Sequence, residues 1–254
     1  MSLDVNTTYL GDCLRIMDNI DTGSIDMVLC DLPYGTTQCS WDIILPFEVL
    51  WMHYKRIVKP NGVVCLFGAE PFASYLRLSN QKYYKYDWVW DKIKSSGFLN
   101  AKKRPLVSHE NICVFYGSPP IYNYQKTFHH KRKISKRKSH LQTPVYGKMK
   151  TNYEYDSTER YPRSIQSFST DTQNSSLHPT QKPVALCEYL IKTYTNRGDI
   201  VLDNCAGSGT TGIACINSGR NYIMIEKEKK YFDIIQDRIA NHKLKGIQNN
   251  LLDE

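Results

Sequence analysis

The chain has no apolar run long enough to cross a bilayer: its longer stretches, such as Val63 to Phe67 and Ile213 to Ile216, stop after a few residues. No basic segment leads into an apolar one at the amino terminus, so no secretory signal is expected. The eight cysteines never come closer than nine residues, which excludes the C-x-x-C spacing of zinc and redox sites. Cys30, Cys65 and Cys113 fall inside apolar runs, where a reduced thiol packs as a small hydrophobe, as expected in a reducing cytoplasm. No metal site is expected. Acidic residues are missing from 126–150, a segment with nine Lys and Arg, whereas the whole chain sets 33 Lys and Arg against 25 Asp and Glu for a net +8. The entire excess charge therefore sits in one segment, and a polyanion is its natural partner.

What is present alternates between strand and helix periods, the pattern of an α/β layer fold with a mostly parallel sheet. Strands are predicted at Ile25–Cys30, Val63–Phe67, Tyr86–Trp90, Ile112–Tyr116, Ile200–Asp203 and Asn221–Glu226. Helices are predicted over Pro46–Val58, Glu70–Leu78, Pro183–Tyr194, Thr210–Asn217 and from Lys229 to about His242. Lys59-Pro60-Asn61-Gly62 reads as the turn that closes the first helix. Between about 117 and 177 the periodicity disappears. An irregular stretch of that length inside a domain points to function or disorder.

Two constellations carry chemistry. Gly207-Ser208-Gly209-Thr210-Thr211-Gly212 lies between a strand and a helix, and Glu226 ends the next strand, placed to accept hydrogen bonds from ribose hydroxyls. No Lys follows the glycines, which disfavours a Walker-type phosphate loop. The spacing also fits a dinucleotide fingerprint, but such a unit normally opens its fold, and Asp203 adds a carboxylate ill suited to a pyrophosphate. S-adenosylmethionine fits better. The second constellation, Asp31-Leu32-Pro33-Tyr34-Gly35, follows a predicted buried strand at the edge where open α/β sheets bind ligands. An exocyclic base amine is a poor nucleophile because its lone pair is delocalised into the ring. A carboxylate and a main-chain carbonyl accepting its two N–H bonds would localise that pair, and a following Tyr offers a face on which an extruded base can stack. On pattern alone, a tight turn is the competing explanation of each.

Taken together, Asp-x-Pro-Tyr near 31 and Asp-x-x-x-Gly-x-Gly-Thr-Thr near 203 resemble the DNA amino-methyltransferases of the β order, the S-adenosylmethionine-dependent N6-adenine and N4-cytosine enzymes. Further matches are Tyr9-Leu10-Gly11-Asp12-Cys13, Lys59-Pro60-Asn61-Gly62, Trp90-Asp91-Lys92, Ser108-His109-Glu110 and His178-Pro179-Thr180-Gln181-Lys182-Pro183. The resemblance covers the chain except about 117–177. It departs at Leu32, where the family usually has Pro, and at Asn204-Cys205, where the cofactor loop usually reads Pro-Phe.

The resemblance implies a Rossmann-like methyltransferase fold with a mostly parallel central sheet and an irregular inserted target-recognition region. Residues 1–116 form the catalytic half, 117–177 the basic insertion and 178–254 the cofactor-binding half. Asp31 and the Pro33 carbonyl would hold the target amine while Tyr34 stacks on the base. The cofactor would meet Asp203, Gly207, Ser208, Gly209, Thr210 and Thr211, with Glu226 on its ribose. Asp12 would lie near the adenine, Asp31 near the methionine amine, and Thr180 and Lys182 in the segment closing the pocket. Lys131, Arg132, Lys133, Lys136, Arg137 and Lys138 are the expected DNA contacts. The opening Asp favours adenine N6 over cytosine N4. RNA methylation, and a non-catalytic DNA-binding protein on this scaffold, are the competing readings. Double-stranded DNA is the expected partner, with room for a homodimer and a separate restriction endonuclease, and no membrane.

Overall fold

The computed structural model describes residues 3–36, 42–137, 142–143, 147–148, 153–170 and 181–252. The first half runs β1 (Thr7–Leu10), α1 (Cys13–Ile16), β2 (Ile25–Cys30), α2 (Phe47–Ile57), β3 (Val58–Gly68), α3 (Phe72–Ser79), β4 (Tyr84–Ser96) and β5 (Val107–Phe115). Five short strands follow: β6 (Lys133–Arg137), β7 (Gln142–Thr143), β8 (Gly147–Lys148), β9 (Tyr153–Ser157) and β10 (Ile165–Ser167). The chain then forms α4 (Val184–Tyr194), β11 (Ile200–Asp203), α5 (Thr210–Ser218), β12 (Asn221–Glu226) and α6 (Lys229–Leu252).

Eight strands make the main sheet in the order β1-β12-β11-β2-β3-β5-β4-β10. All neighbours are parallel except the two pairs made by β5, so β5 alone runs against the rest. β2 is buried on both faces apart from Asp26, as a central parallel strand should be. Its side chains alternate between two cores. Met27 and Leu29 join Leu190, Ile213 and Ile235 on one face, whereas Val28 and Cys30 join Leu50, Trp51 and Phe72 on the other. The first core is thus roofed by α4, α5 and α6, the second by α1, α2 and α3. Each fully buried aliphatic side chain contributes about 1.5–3 kcal/mol of transfer free energy.

β2, β11 and β12 span the predicted residues. The Lys59–Gly62 segment differs: it lies within β3, where the register with β2 shifts between Ile25 and Met27. A side chain at Gly62 would come within 2.5 Å of Val58 Cγ1 and 2.9 Å of the Asp26 carbonyl, so this bulge closes only around glycine. The edge strand β1 is an addition to the predicted set. β4 and β5 extend well beyond their predicted cores as one long hairpin.

The chain divides into two units, residues 1–123 with 164–254, and Tyr124–Arg163. The smaller unit contains β6 paired antiparallel with β9, and β7 with β8, in a stretch expected to be irregular. Polar strands held by cross-strand ion pairs leave no period-two hydrophobic signal, which is why they escaped the sequence pattern. β10, also inside that stretch, adds to the main sheet beside β4. Among the described residues, no helix is long and apolar enough to cross a membrane.

Candidate active site

β2 leads to β3 on one side of the sheet and β11 leads to β12 on the other, so the strand order reverses between these two neighbours. The carboxyl ends of strands at such a switch point are where open α/β sheets form their ligand crevice. A cavity of about 610 Å³ opens there, lined by Asp12, Asp31, Trp90, Lys182, Asp203 and Glu226, among others. That volume suits a cofactor-sized ligand.

Asp31, directly after β2, is held from two sides. Its Oδ1 accepts the Tyr34 hydroxyl at 2.7 Å and its Oδ2 accepts Lys182 Nζ at 2.5 Å. Lys182 Nζ also lies 3.2 Å from Glu110 Oε2, and Lys92 Nζ lies 2.5 Å from Glu110 Oε1. Burial raises the Asp31 pKa, and Lys182 offsets only part of that rise. Burial opposes the charge of Lys182, yet Asp31 and Glu110 outweigh it and raise the ammonium's pKa. Burial likewise works against Glu110, but Lys182 and Lys92 bring its pKa below the usual glutamate value.

Tyr34 stacks on Phe72 with ring centroids 4.8 Å apart, so one face of the ring is already covered. Gly35 adopts φ +66, and the loop is clamped by Asp42, whose two carboxylate oxygens accept the Gly35 and Thr36 N–H groups at 2.8 and 2.9 Å. Pro33 lines the cavity beside them.

On the β11 side, Asp203 Oδ2 accepts the Thr211 hydroxyl at 2.6 Å and Oδ1 accepts the Cys205 N–H at 3.2 Å. Burial pushes the Asp203 pKa up to about 6. Glu226 accepts the Gly207 and Glu228 N–H groups, each at 2.8 Å, and burial raises its pKa against the pull of those two bonds. The carboxylate expected at a ribose thus also ties the glycine loop to the end of β12. Arg238 of α6 donates to the Ser208 carbonyl at 2.9 Å and to Thr210 Oγ1 at 3.2 Å, while Ser208 donates to Gln181 Oε1 at 3.3 Å.

Most predicted site residues meet at this cavity. Asp12, Asp31, Pro33, Tyr34, Lys182, Asp203, Gly207, Ser208, Thr210, Thr211 and Glu226 all line it. Gly209 is not among the lining residues. It caps α5 at φ +77, where a side chain would meet Ile235 at 3.1 Å, so its role is to seat α5 against α6. Asp12 caps α1 by accepting the Leu14 N–H at 2.9 Å. Thr180 lies outside the described residues. At the sequence departure, Asn204 is buried and accepts the Tyr54 hydroxyl at 2.6 Å, and Cys205 lines the cavity. Sequence reasoning missed the parts played by Asp42, Lys92, Glu110 and Arg238. Lys92 and Glu110 stand in two of the matching motifs, the one signal that could have singled them out.

Two of the expected DNA contacts have acidic partners within the smaller unit. Arg132 forms a two-pronged pair with Asp156 at 2.7 and 2.5 Å, and Lys136 meets Glu154 at 2.6 Å. Two of the six cations, Lys136 in β6 and Arg132 just before it, are therefore already paired with acids of β9. Lys131 and Lys133 are exposed; Lys138 and the Arg137 side chain lie outside the described residues.

A doubly wound sheet with a glycine loop, a terminal acid and a second carboxylate at its switch point defines a Rossmann-like methyltransferase fold. The sequence profile of the DNA methylase family matches residues 25–237. The type II methyltransferase M.HpaI of Haemophilus parainfluenzae is 26% identical over 241 residues, covering 90% of this chain and 72% of its own. The DNA adenine methyltransferase YhdJ of Escherichia coli (strain K12) is 29% identical over 263 residues, covering 94% and 85%. Among solved structures, the M1.HpyAVI–SAM complex superposes with a TM-score of 0.65 at 26% identity, over 92% of this chain and 98% of that one. The chain belongs to the DNA methylase family and is a DNA methyltransferase.

Proposed function

We propose that the protein transfers the methyl group of S-adenosylmethionine to the exocyclic N6 amine of an adenine extruded from double-stranded DNA, in the cytoplasm. The observation that carries this is Asp31 at the end of β2 sharing one cavity with the Asp203–Thr211 loop at the end of β11. The donor set fits the cofactor. Buried carboxylates at Asp203 and Glu226 suit a ligand with a cationic centre and ribose hydroxyls, and Glu226 retains lone pairs beyond its two backbone bonds.

When bound, the cofactor supplies an electrophilic methyl group on a sulfonium. Asp31 and the Pro33 carbonyl accept the amine's two N–H bonds, localise its lone pair and stabilise the positive charge that develops on nitrogen. Tyr34 offers its ring to the base. Residues 117–177 serve as the target-recognition insertion. Within them, the unit Tyr124–Arg163 carries eleven Lys and Arg against three acids, a net +8 that equals the charge of the whole chain, and this charge draws the protein to phosphate.

The test is transfer of radiolabelled methyl from S-adenosylmethionine to duplex DNA, followed by nucleoside mass analysis. N6-methyladenine is the expected product. N4-methylcytosine would overturn the assignment of the base, and label in RNA alone would overturn DNA as the substrate.

A further inference from the structure

The hairpin of β4 and β5 ends in apolar side chains that the fold leaves uncovered. Phe98 is 82% exposed and Leu99 97%, side by side at the tip, with Ile93 and Leu106 exposed below them. Single exposed hydrophobes need no explanation, but two large ones adjoining at a turn mark a contact surface. The surrounding charge has one sign: residues 92–107 contain Lys92, Lys94, Lys102, Lys103 and Arg104 and no acid. The base of the same hairpin enters the active site, where Trp90, Lys92, Ser96 and Glu110 line the cavity.

The backbone is bent on purpose at the junction. Register slips between Asp91 and Ser96, and Ile93 sits at φ +62, an outlier for a β-branched residue. Asp91 holds it there, accepting the Ile93 N–H at 3.1 Å while also accepting the Ser167 hydroxyl at 2.8 Å. Strain of this kind persists where surrounding structure fixes it, and it clusters at functional sites.

We propose that this tip is a wedge that enters the target duplex beside the extruded base, Phe98 and Leu99 taking up the opened stacking step while Lys94, Lys102, Lys103 and Arg104 neutralise the flanking phosphates. The inference rests on the base-flipping reading above. An acid-free cationic rim excludes an acidic face on the wedge and complements a polyanion. Proteins open base steps by inserting apolar side chains between them. Continuity with the catalytic cavity places the wedge at the nucleotide that must leave the helix.

The experiment compares the wild type with the double variant Phe98→Ser/Leu99→Ser, both checked for equal melting temperature and cofactor affinity. Two duplexes are used, each containing a site mapped by modified-base sequencing. One is fully paired and the other has an abasic position opposite the target adenine. The wedge predicts a fall in kcat/KM on the order of 10–100-fold on the paired duplex and recovery to within about 3-fold on the abasic one, because that base costs little to extrude. An equal loss on both duplexes, or no loss on either, overturns the wedge. Wild-type protein that methylates neither duplex overturns the function proposed above, and the wedge with it.

Discussion

Lys182 Nζ stands 2.5 Å from Asp31 Oδ2 and 3.2 Å from Glu110 Oε2, so the carboxylate proposed to receive the target amine already holds an ammonium group. Entry of the base requires a substitution of one N–H donor for another at Asp31, and Glu110 is the neighbouring acid that keeps Lys182 paired meanwhile. Lys182→Met removes the cation and leaves both carboxylates facing each other. The Asp31 pKa, already raised by burial, then rises further. Since the reaction uses ionised Asp31, the acidic limb of the kcat–pH profile moves to higher pH. The loss of stability stays below the ~3–5 kcal/mol of a fully buried broken pair, because the Asp31 side chain keeps 24% of its exposure. An acidic limb in the wild-type position would remove Lys182 from this role.

Asp31→Ala should reduce methylation by about 10²–10⁴-fold, the range of a positioned acid–base group, with cofactor affinity changed no more than several-fold. Tyr34 separates into two contributions. Tyr34→Phe keeps the ring packed on Phe72 and loses only the 2.7 Å bond to Asp31, so its defect is the same on paired and mispaired targets. Tyr34→Ala also loses stacking on the base, and its defect shrinks where the target is mispaired. Single-turnover rates on the two substrates measure the difference, and identical behaviour of the two variants would contradict a stacking role.

The legible part of the site was the part written locally. Asp31–Tyr34 and Asp203–Thr211 each lie within one strand–loop segment, where glycine spacing and strand period constrain geometry directly. Glu110, and the pairing of the predicted Lys182 with it and with Asp31, escaped because Lys182 lies 72 and 151 residues from these two acids in sequence, and pairing at that distance leaves no periodic trace. Arg238 was hidden for the same reason: it reaches Ser208 from the far end of the chain. β1 was missed because four residues with one buried side chain carry too little alternation to read. The Phe98-Leu99 pair was visible as letters, but only the hairpin shows that it is exposed.

Asp203 links cofactor affinity to pH. Its folded-state pKa of about 6 exceeds the ordinary aspartate value of 3.8, so the folded protein binds this proton more tightly than the unfolded chain. Stability therefore falls as pH rises from about 4 to about 6, by about 3 kcal/mol in total as an order of magnitude, and stays at the lower level above. A cationic ligand favours the ionised form, so cofactor affinity should rise over the same window. Asp203→Asn should raise the urea midpoint at pH 7.5, bind cofactor more weakly and flatten both pH dependences. Calorimetry and denaturation between about pH 4 and pH 8 test this; an Asn variant less stable than wild type at pH 7.5 would refute the burial cost.

The ion pairs across β6 and β9 turn the basic unit into a partly neutralised surface, and this changes what its cations can do for DNA. Each phosphate neutralised on duplex DNA contributes about −0.9 to the slope of log affinity against log salt. Lys131 and Lys133 have no ion pair among the described residues, so Lys131→Ser/Lys133→Ser should flatten the slope by up to about 2 and weaken binding to all sequences alike. Arg132 and Lys136 begin paired with Asp156 and Glu154, and removing them should cost less. The opposite change is the sharper test. Asp156→Ser/Glu154→Ser releases two cations, so binding should tighten at low salt and the slope should steepen by up to about 2. Cofactor affinity should not move in any of these variants, since none of the six residues lines the cavity. If releasing Arg132 and Lys136 leaves both affinity and slope unchanged, phosphate does not reach this strand pair, and the charge of the unit acts only as a long-range attraction.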